Sequence, residues 1–379
     1  MLKLFTLIII SVFSFQLQAF GLEAKDTQYI RAAIIQDAAS LRLKVDGFFQ
    51  IEDLMSHKVL YRGKHINTTV TVQKGDILLG PVRSKSNKLI IKAEDPDAIL
   101  IDGRMFRGDI QFIRKDNQHL LVVNNISLED YIKGILYHEA SHYWPQEALK
   151  AQAIASRTYA LYQMESNKTK NYDVTSDIFS QVYGGRTSER YRTNKIVEDT
   201  KGLALLYQGK IFPAYFHATC AGHTEDASLL WNTDLAPLKG VACIYCKESP
   251  HFNWHEVLSL DEIEKKLMNS DYQISKIEDI TIDGRDVSGR ITKLKIISKD
   301  NSLEIPAKDF RSLIGPNLIR SANFNLSIVN REAVIEGVGW GHGVGLCQWG
   351  AYFMAKEGKN YEEILKYYYP GAEISSTLK

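Results

Sequence analysis

Three groups of residues have types and spacings that can do chemistry. The first is Glu139, which follows Ile132, Ile135 and Leu136 at helical intervals, so a helix here carries its carboxyl on the apolar side at the C-terminal end. Desolvation and the negative end of a helix dipole both disfavour a carboxylate and raise its pKa. A carboxyl kept partly protonated near neutral pH is what general-acid cleavage of a glycosidic bond requires. Periodicity alone also fits a solvated glutamate at a helix end.

The second group is cysteine-rich: His217-Ala218-Thr219-Cys220-Ala221-Gly222-His223, then Cys243-Ile244-Tyr245-Cys246. A C-x2-C pair plus Cys220, with a histidine three residues to either side, has the ligand types and local spacing of a tetrahedral structural zinc site. The expected ligands are Cys220, Cys243, Cys246 and His217, with His223 as an alternative to His217. An oxidising compartment favours the rival, a Cys220 disulfide to one of the pair with a leftover thiol. Cys347 stands apart and reads as a small buried residue. The third group surrounds His342, where Gly339, Gly341, Gly343 and Gly345 alternate with other residues ahead of Gln348. Glycines beside His342 let backbone approach a ligand closely, so His342 and Gln348 are candidate substrate contacts. A nucleotide-binding reading fails, because the G-x-G-x-x-G spacing and a flanking βαβ unit are both missing.

The elements that must position these groups are legible. From Tyr29 to Val123 short alternating runs such as Leu41-Arg42-Leu43-Lys44-Val45 and Thr68-Thr69-Val70-Thr71-Val72 predict strands. At Ser127 the period becomes helical, and Ser127 with Asp130 forms an S-x-x-D cap signature, predicting a helix from Leu128 to Ala140. A second helix starts near Pro145 and runs through an alanine-rich body to Leu161, whose small side chains suit a central position. Gln152, Ser156, Tyr159 and Gln163 share one stripe of it. Further helices are expected at Leu260 to Met268, Cys347 to Lys356 and Tyr361 to Tyr368, and a strand at Ile291 to Ile297. The expected fold is α+β: a β-rich N-terminal portion over residues 25–126, then a mixed core over 127–379 built on the central Ala-rich helix.

Composition closes off other classes. Hydrophobic residues make up 45% of the 379, enough for a buried core, so disorder is not the default. A net charge of +1 offers no field to draw a polyanion, which argues against nucleic acid. Met1-Leu2-Lys3, an apolar run from Leu4 to Phe15 and a small-residue exit read as a secretory signal over residues 1–24, cleaved after Ala19 or Ala24. The run is shorter than the roughly 20 residues that span a bilayer, so export is favoured over an uncleaved anchor. The expected location is the periplasm or another extracytoplasmic space.

Two long motifs carry a resemblance. Ser127-Leu128-Glu129-Asp130-Tyr131-Ile132-Lys133-Gly134-Ile135, His138-Glu139 and Trp144-Pro145-Gln146-Glu147-Ala148-Leu149-Lys150-Ala151-Gln152-Ala153-Ile154-Ala155-Ser156-Arg157-Thr158-Tyr159-Ala160 together resemble the first signature of the SpoIID/LytB family. Gly339-Trp340-Gly341-His342-Gly343-Val344-Gly345-Leu346-Cys347-Gln348-Trp349-Gly350-Ala351 is similar to its second. The resemblance spans about Ile30 to Ile374. It implies a peptidoglycan lytic transglycosylase that cuts between N-acetylmuramic acid and N-acetylglucosamine, with Glu139 as its acid and base. It also implies that Gln152, Arg157 and Tyr159 could line a glycan groove, although Arg157 could equally pair internally and Tyr159 pack in the core. Some relatives carry zinc in the cysteine region. One departure is local: the family's Met-Pro after the glutamate is Ala140-Ser141 here.

The family also includes amidase enhancers, which implies an alternative: a wall-binding protein that stimulates a separate N-acetylmuramoyl-L-alanine amidase. A zinc hydrolase is disfavoured, because there is no H-E-x-x-H pattern and three cysteine ligands suit a closed site. Apart from the carboxyl of Glu139, no second acid motif is apparent. Transfer to a 1,6-anhydro sugar needs none.

Overall fold

The computed structural model describes residues 27–377, apart from 96, 178 and 179. The signal expected over 1–24 lies outside the described residues. Within them the fold is α+β, with a β-rich N-terminal part.

Eleven strands between Tyr29 and Thr175 form one sheet. In Ser40–Asp53, Leu41, Leu43 and Val45 are buried while Arg42 and Lys44 are exposed, and Val70 and Val72 repeat the pattern on the partner strand Val59–Gln73. The period-2 pattern decides which face meets the core. The last long strand, Leu120–Ser127, runs without a break into helix α1 (Leu128–Glu139). Ser127 caps it: its Oγ accepts from the backbone N–H of Asp130 at 3.2 Å and donates to the Asp130 carboxylate at 2.7 Å. The helix stops at Glu139 because Ala140 turns to extended backbone.

Helix α2 (Gln146–Ser166) is buried on every side from Ala151 to Ala160. Its alanines let one flank pack with the sheet and α1, while Ala148, Ala151, Ile154 and Ala155 join a second cluster containing all four cysteines. Pro145, expected in the first turn, sits one place earlier as the N-cap. Helices α3 (Tyr191–Asp199) and α4 (Ala227–Trp231) follow. A third core is built wholly from residues between Trp254 and Ile335. It comprises two three-stranded sheets with α5 (Leu260–Met268) and α6 (Ala307–Ile314). Its first and last strands along the chain, Asn253–Ser259 and Glu332–Val338, pair antiparallel, so the chain enters and leaves this unit side by side. Helices α7 (Gln348–Lys356) and α8 (Tyr361–Tyr368) then pack back on α2. None of the described helices is long and apolar enough to cross a membrane.

Candidate active site and cysteine cluster

A cleft of about 780 Å³ lies between the α2 region and the 254–335 unit, and Glu139 lines it. Burial drives the Glu139 carboxyl up to about 7 from an ordinary 4.5, against two hydrogen bonds that favour the ionised form. The backbone N–H of Val182 donates to its Oε1 at 3.2 Å, and the Gln348 side-chain amide donates to it as well. At neutral pH the group is therefore divided between acid and base.

The stripe expected on α2 is what aims Gln348. Gln348 Nε2 donates to Gln152 Oε1 at 3.3 Å, and Gln152 Nε2 donates to Ser156 Oγ at 3.0 Å. Gln152 is thus buried behind the cleft wall, where it orients Gln348 instead of lining the groove. Tyr159 does line the cleft, its hydroxyl accepting from Gln163 Nε2 at 2.7 Å and its ring 5.8 Å from Tyr215. Arg157 does not. Fully buried, it forks onto the Glu129 carboxylate at 2.9 and 2.8 Å and donates to the Leu203 carbonyl at 3.0 Å, so its job is to tie α2 to α1.

His342 lines the cleft beside Trp231, 4.9 Å between rings, and Tyr215. Its Nδ1 accepts from the Val344 N–H at 3.1 Å and it also hydrogen-bonds the Phe216 carbonyl, which fixes a neutral ring with the proton on Nε2. Burial and the neighbouring Arg290 and Arg311 hold its pKa well below the usual range. The alternating glycines serve a different purpose from the one expected. A Cβ at Gly341 would lie 2.7 Å from His217 Cβ, and one at Gly343 would lie 2.4 Å from the Arg290 guanidinium carbon. Gly341 and Gly343 admit the protein's own side chains, and Gly339 and Gly345 its own backbone at Thr219 and Tyr215.

The cleft also holds acids that the sequence reading missed. Glu225 and Asp286 meet in its wall and hydrogen-bond each other, and the single hydroxyl of Ser288 lies within hydrogen-bond distance of both, 3.1 Å from Glu225 Oε2 and 2.6 Å from Asp286 Oδ1. Burial and the adjacent Asp286 push Glu225 up to about 7. No local motif announces this pair, because one partner lies before the 254–335 unit and the other inside it. Tyr215, Trp231 and Arg290 were missed for the same reason.

The sulfur cluster differs from expectation in one corner. Cys220, Cys243, Cys246 and Cys347 are all buried and outside any disulfide, with ligand atoms within 4.8 Å of one another. The fourth thiol is Cys347, which the sequence reading set apart, and neither histidine joins the group. His217 turns into the cleft with Nδ1 on the Val344 carbonyl at 3.1 Å, and His223 Nδ1 sits 2.6 Å from the Thr224 carbonyl. The cause is strand pairing: Phe216–His217 runs parallel to Leu346–Cys347 in register, which carries Cys347 to Cys220, whose N–H donates to its sulfur at 3.3 Å.

A family profile described as "Stage II sporulation protein" matches residues 116–207, the segment containing α1, Glu139 and α2. The stage II sporulation protein D of Bacillus subtilis is 33% identical over 273 residues, 67% of this chain and 76% of that protein. The chain belongs to the stage II sporulation protein D family. An uncharacterized protein of Brachyspira hyodysenteriae is 40% identical over 282 residues, 74% of this chain and 75% of its own length. The B. subtilis amidase enhancer is 28% identical over 80% of this chain, which spans about half of that relative (49%). Residues 242–345, which include the third core, match a domain of unknown function, DUF8618. In this member of the sporulation protein D family the cleft is therefore shared between two family segments, one of which carries Glu139 and the other Asp286, Arg290 and His342.

Proposed function

We propose that the chain is an exported peptidoglycan lytic transglycosylase in which Glu139 is general acid and then general base. The observation that carries the reading is a carboxyl in a large cleft, with its pKa brought near 7 by burial and its position held by Val182 and Gln348. The protonated form delivers its proton to the oxygen bridging N-acetylmuramic acid and N-acetylglucosamine. The resulting carboxylate then takes the proton from the muramic acid C6 hydroxyl as that oxygen attacks the anomeric carbon. The product is a 1,6-anhydro sugar, and no water needs activation. Glu225 and Asp286, which hydrogen-bond each other and Ser288, take no part in either step of this scheme.

The four cysteines fit a structural zinc ion. Zn–S bonds of about 2.3 Å in a tetrahedron separate sulfurs by roughly 3.8 Å, and here the Cys220 and Cys246 sulfurs are 3.5 Å apart with all four within 4.8 Å. A bound ion would supply a closed crosslink and no open coordination position. Cys220, Cys243 and Cys246 precede the 254–335 unit and Cys347 follows it, so the crosslink would clamp that unit's base.

The similarity to the amidase enhancer over 80% of the chain favours a second reading, in which the chain binds the wall and stimulates an amidase. One digestion separates the two. Intact and denuded glycan strands are treated with the wild type and Glu139→Gln, and soluble products are analysed by mass spectrometry. Anhydro-muropeptides from the wild type alone support catalysis, whereas their absence from both, with amidase stimulation retained in both, supports the enhancer.

A further inference from the structure

We propose that His217 is a specificity-determining residue of the cleft, whose Nε2 accepts a hydrogen bond from the acetamido N–H of an aminosugar, so that the cleft prefers N-acetylated to de-N-acetylated glycan. The proposal rests on the glycan reading above. It starts from a forced tautomer. His217 is 4% exposed, and its Nδ1 lies 3.1 Å from the Val344 carbonyl oxygen, which can only accept. Nδ1 therefore carries the hydrogen, and Nε2 of the neutral ring is a lone pair. Burial and the nearby Arg290 keep the ring neutral at physiological pH. That lone pair is buried and has no partner among the described residues, although His217 lines the cleft. A buried acceptor without a donor costs free energy that a ligand N–H recovers.

The surroundings narrow the donor. Tyr215, Trp231 and His342 form a contiguous aromatic wall, with ring separations of 4.3 and 4.9 Å, and the His342 ring is 5.7 Å from that of His217. This wall suits the methyl of an acetyl group. Arg290 Nε, on a side chain 2% exposed in the same cleft, is a buried donor without a partner and suits the acetyl carbonyl. A free amino sugar would bring an ammonium toward Arg290, which already depresses both histidines, and toward Arg311, which depresses His342. The cleft's acids each have partners of their own: Glu139 takes hydrogen bonds from Val182 and Gln348, Glu225 and Asp286 engage each other and Ser288, and Asp309 accepts from the Tyr272 hydroxyl at 2.6 Å.

The test measures affinity of the full chain for a tetrasaccharide of N-acetylglucosamine and for its de-N-acetylated counterpart by calorimetry. His217→Asn keeps a donor near the Val344 carbonyl and removes Nε2, whereas His217→Gln places an amide oxygen near the Nε2 position. The wild type should prefer the acetylated sugar by on the order of tenfold, His217→Asn should lose that preference, and His217→Gln should retain part of it. Bound metal should be unchanged in both variants, which separates this role from ligation. No preference in the wild type, binding of neither sugar, or an undiminished preference in His217→Asn overturns the proposal. A Glu139→Gln protein that still cuts glycan would instead sink the acid assignment while leaving the His217 preference intact.

Discussion

Replacing Glu139 by glutamine should make the protein inactive and more stable at once. In the folded chain the carboxyl titrates at about 7, against 4.5 ordinarily. Between those values the folded state binds more protons than the unfolded chain, so this group lowers stability as pH rises through that window, and below it the penalty vanishes. At pH 7 a shift of this size corresponds to at most about 3 kcal/mol, and partial exposure of the side chain reduces it to roughly 1–3 kcal/mol. A neutral amide removes the titration and can still accept from Val182. Glu139→Gln should therefore melt with the wild type near pH 4.5 and several degrees above it at pH 7.5, while release of anhydro-muropeptides falls by on the order of 10²-fold or more. Thermal denaturation of both proteins at four or five pH values, beside a digestion assay, reads both effects. A melting difference that does not vary with pH would mean that the carboxyl is not strained by burial, and the argument for its acid role would lose its physical basis.

Gln348→Ala removes a donor that favours the ionised Glu139, so the alkaline limb of the pH–rate profile should move upward by a fraction of a unit as the rate falls. A profile unchanged in shape would show that Gln348 does not touch the acid. Metal analysis should find about one zinc per chain, lost on Cys347→Ser together with melting temperature but kept on His223→Ala; two oxidised cysteines in thiol counting would replace the metal with a disulfide. Arg157→Lys should destabilise by about 3 kcal/mol in urea unfolding, because a single ammonium cannot replace a buried fork on Glu129. A loss under about 0.5 kcal/mol would show that the pair is solvated.

What could be read from the residues alone was whatever local periodicity controls. Ser127 begins α1 because a capping oxygen is needed where the strand ends, the helix closes at Glu139, one residue before the expected Ala140, and the Leu41-Val45 alternation selects the buried face of the sheet; each is decided within a turn or two of chain. The α2 stripe was legible as a stripe, but its purpose was not. Whether Gln152 and Arg157 reach a substrate or their own chain depends on what arrives from residues 129, 203 and 348, and only tertiary packing brings those there. The same holds for the metal corner: three cysteines cluster in sequence, and the fourth comes from 127 residues beyond Cys220 because a parallel strand pair sets it in register. Glu225 and Asp286, whose carboxyls hydrogen-bond in the cleft wall, have no sequence signature, since such an acid pair is a property of two surfaces meeting and not of either chain segment.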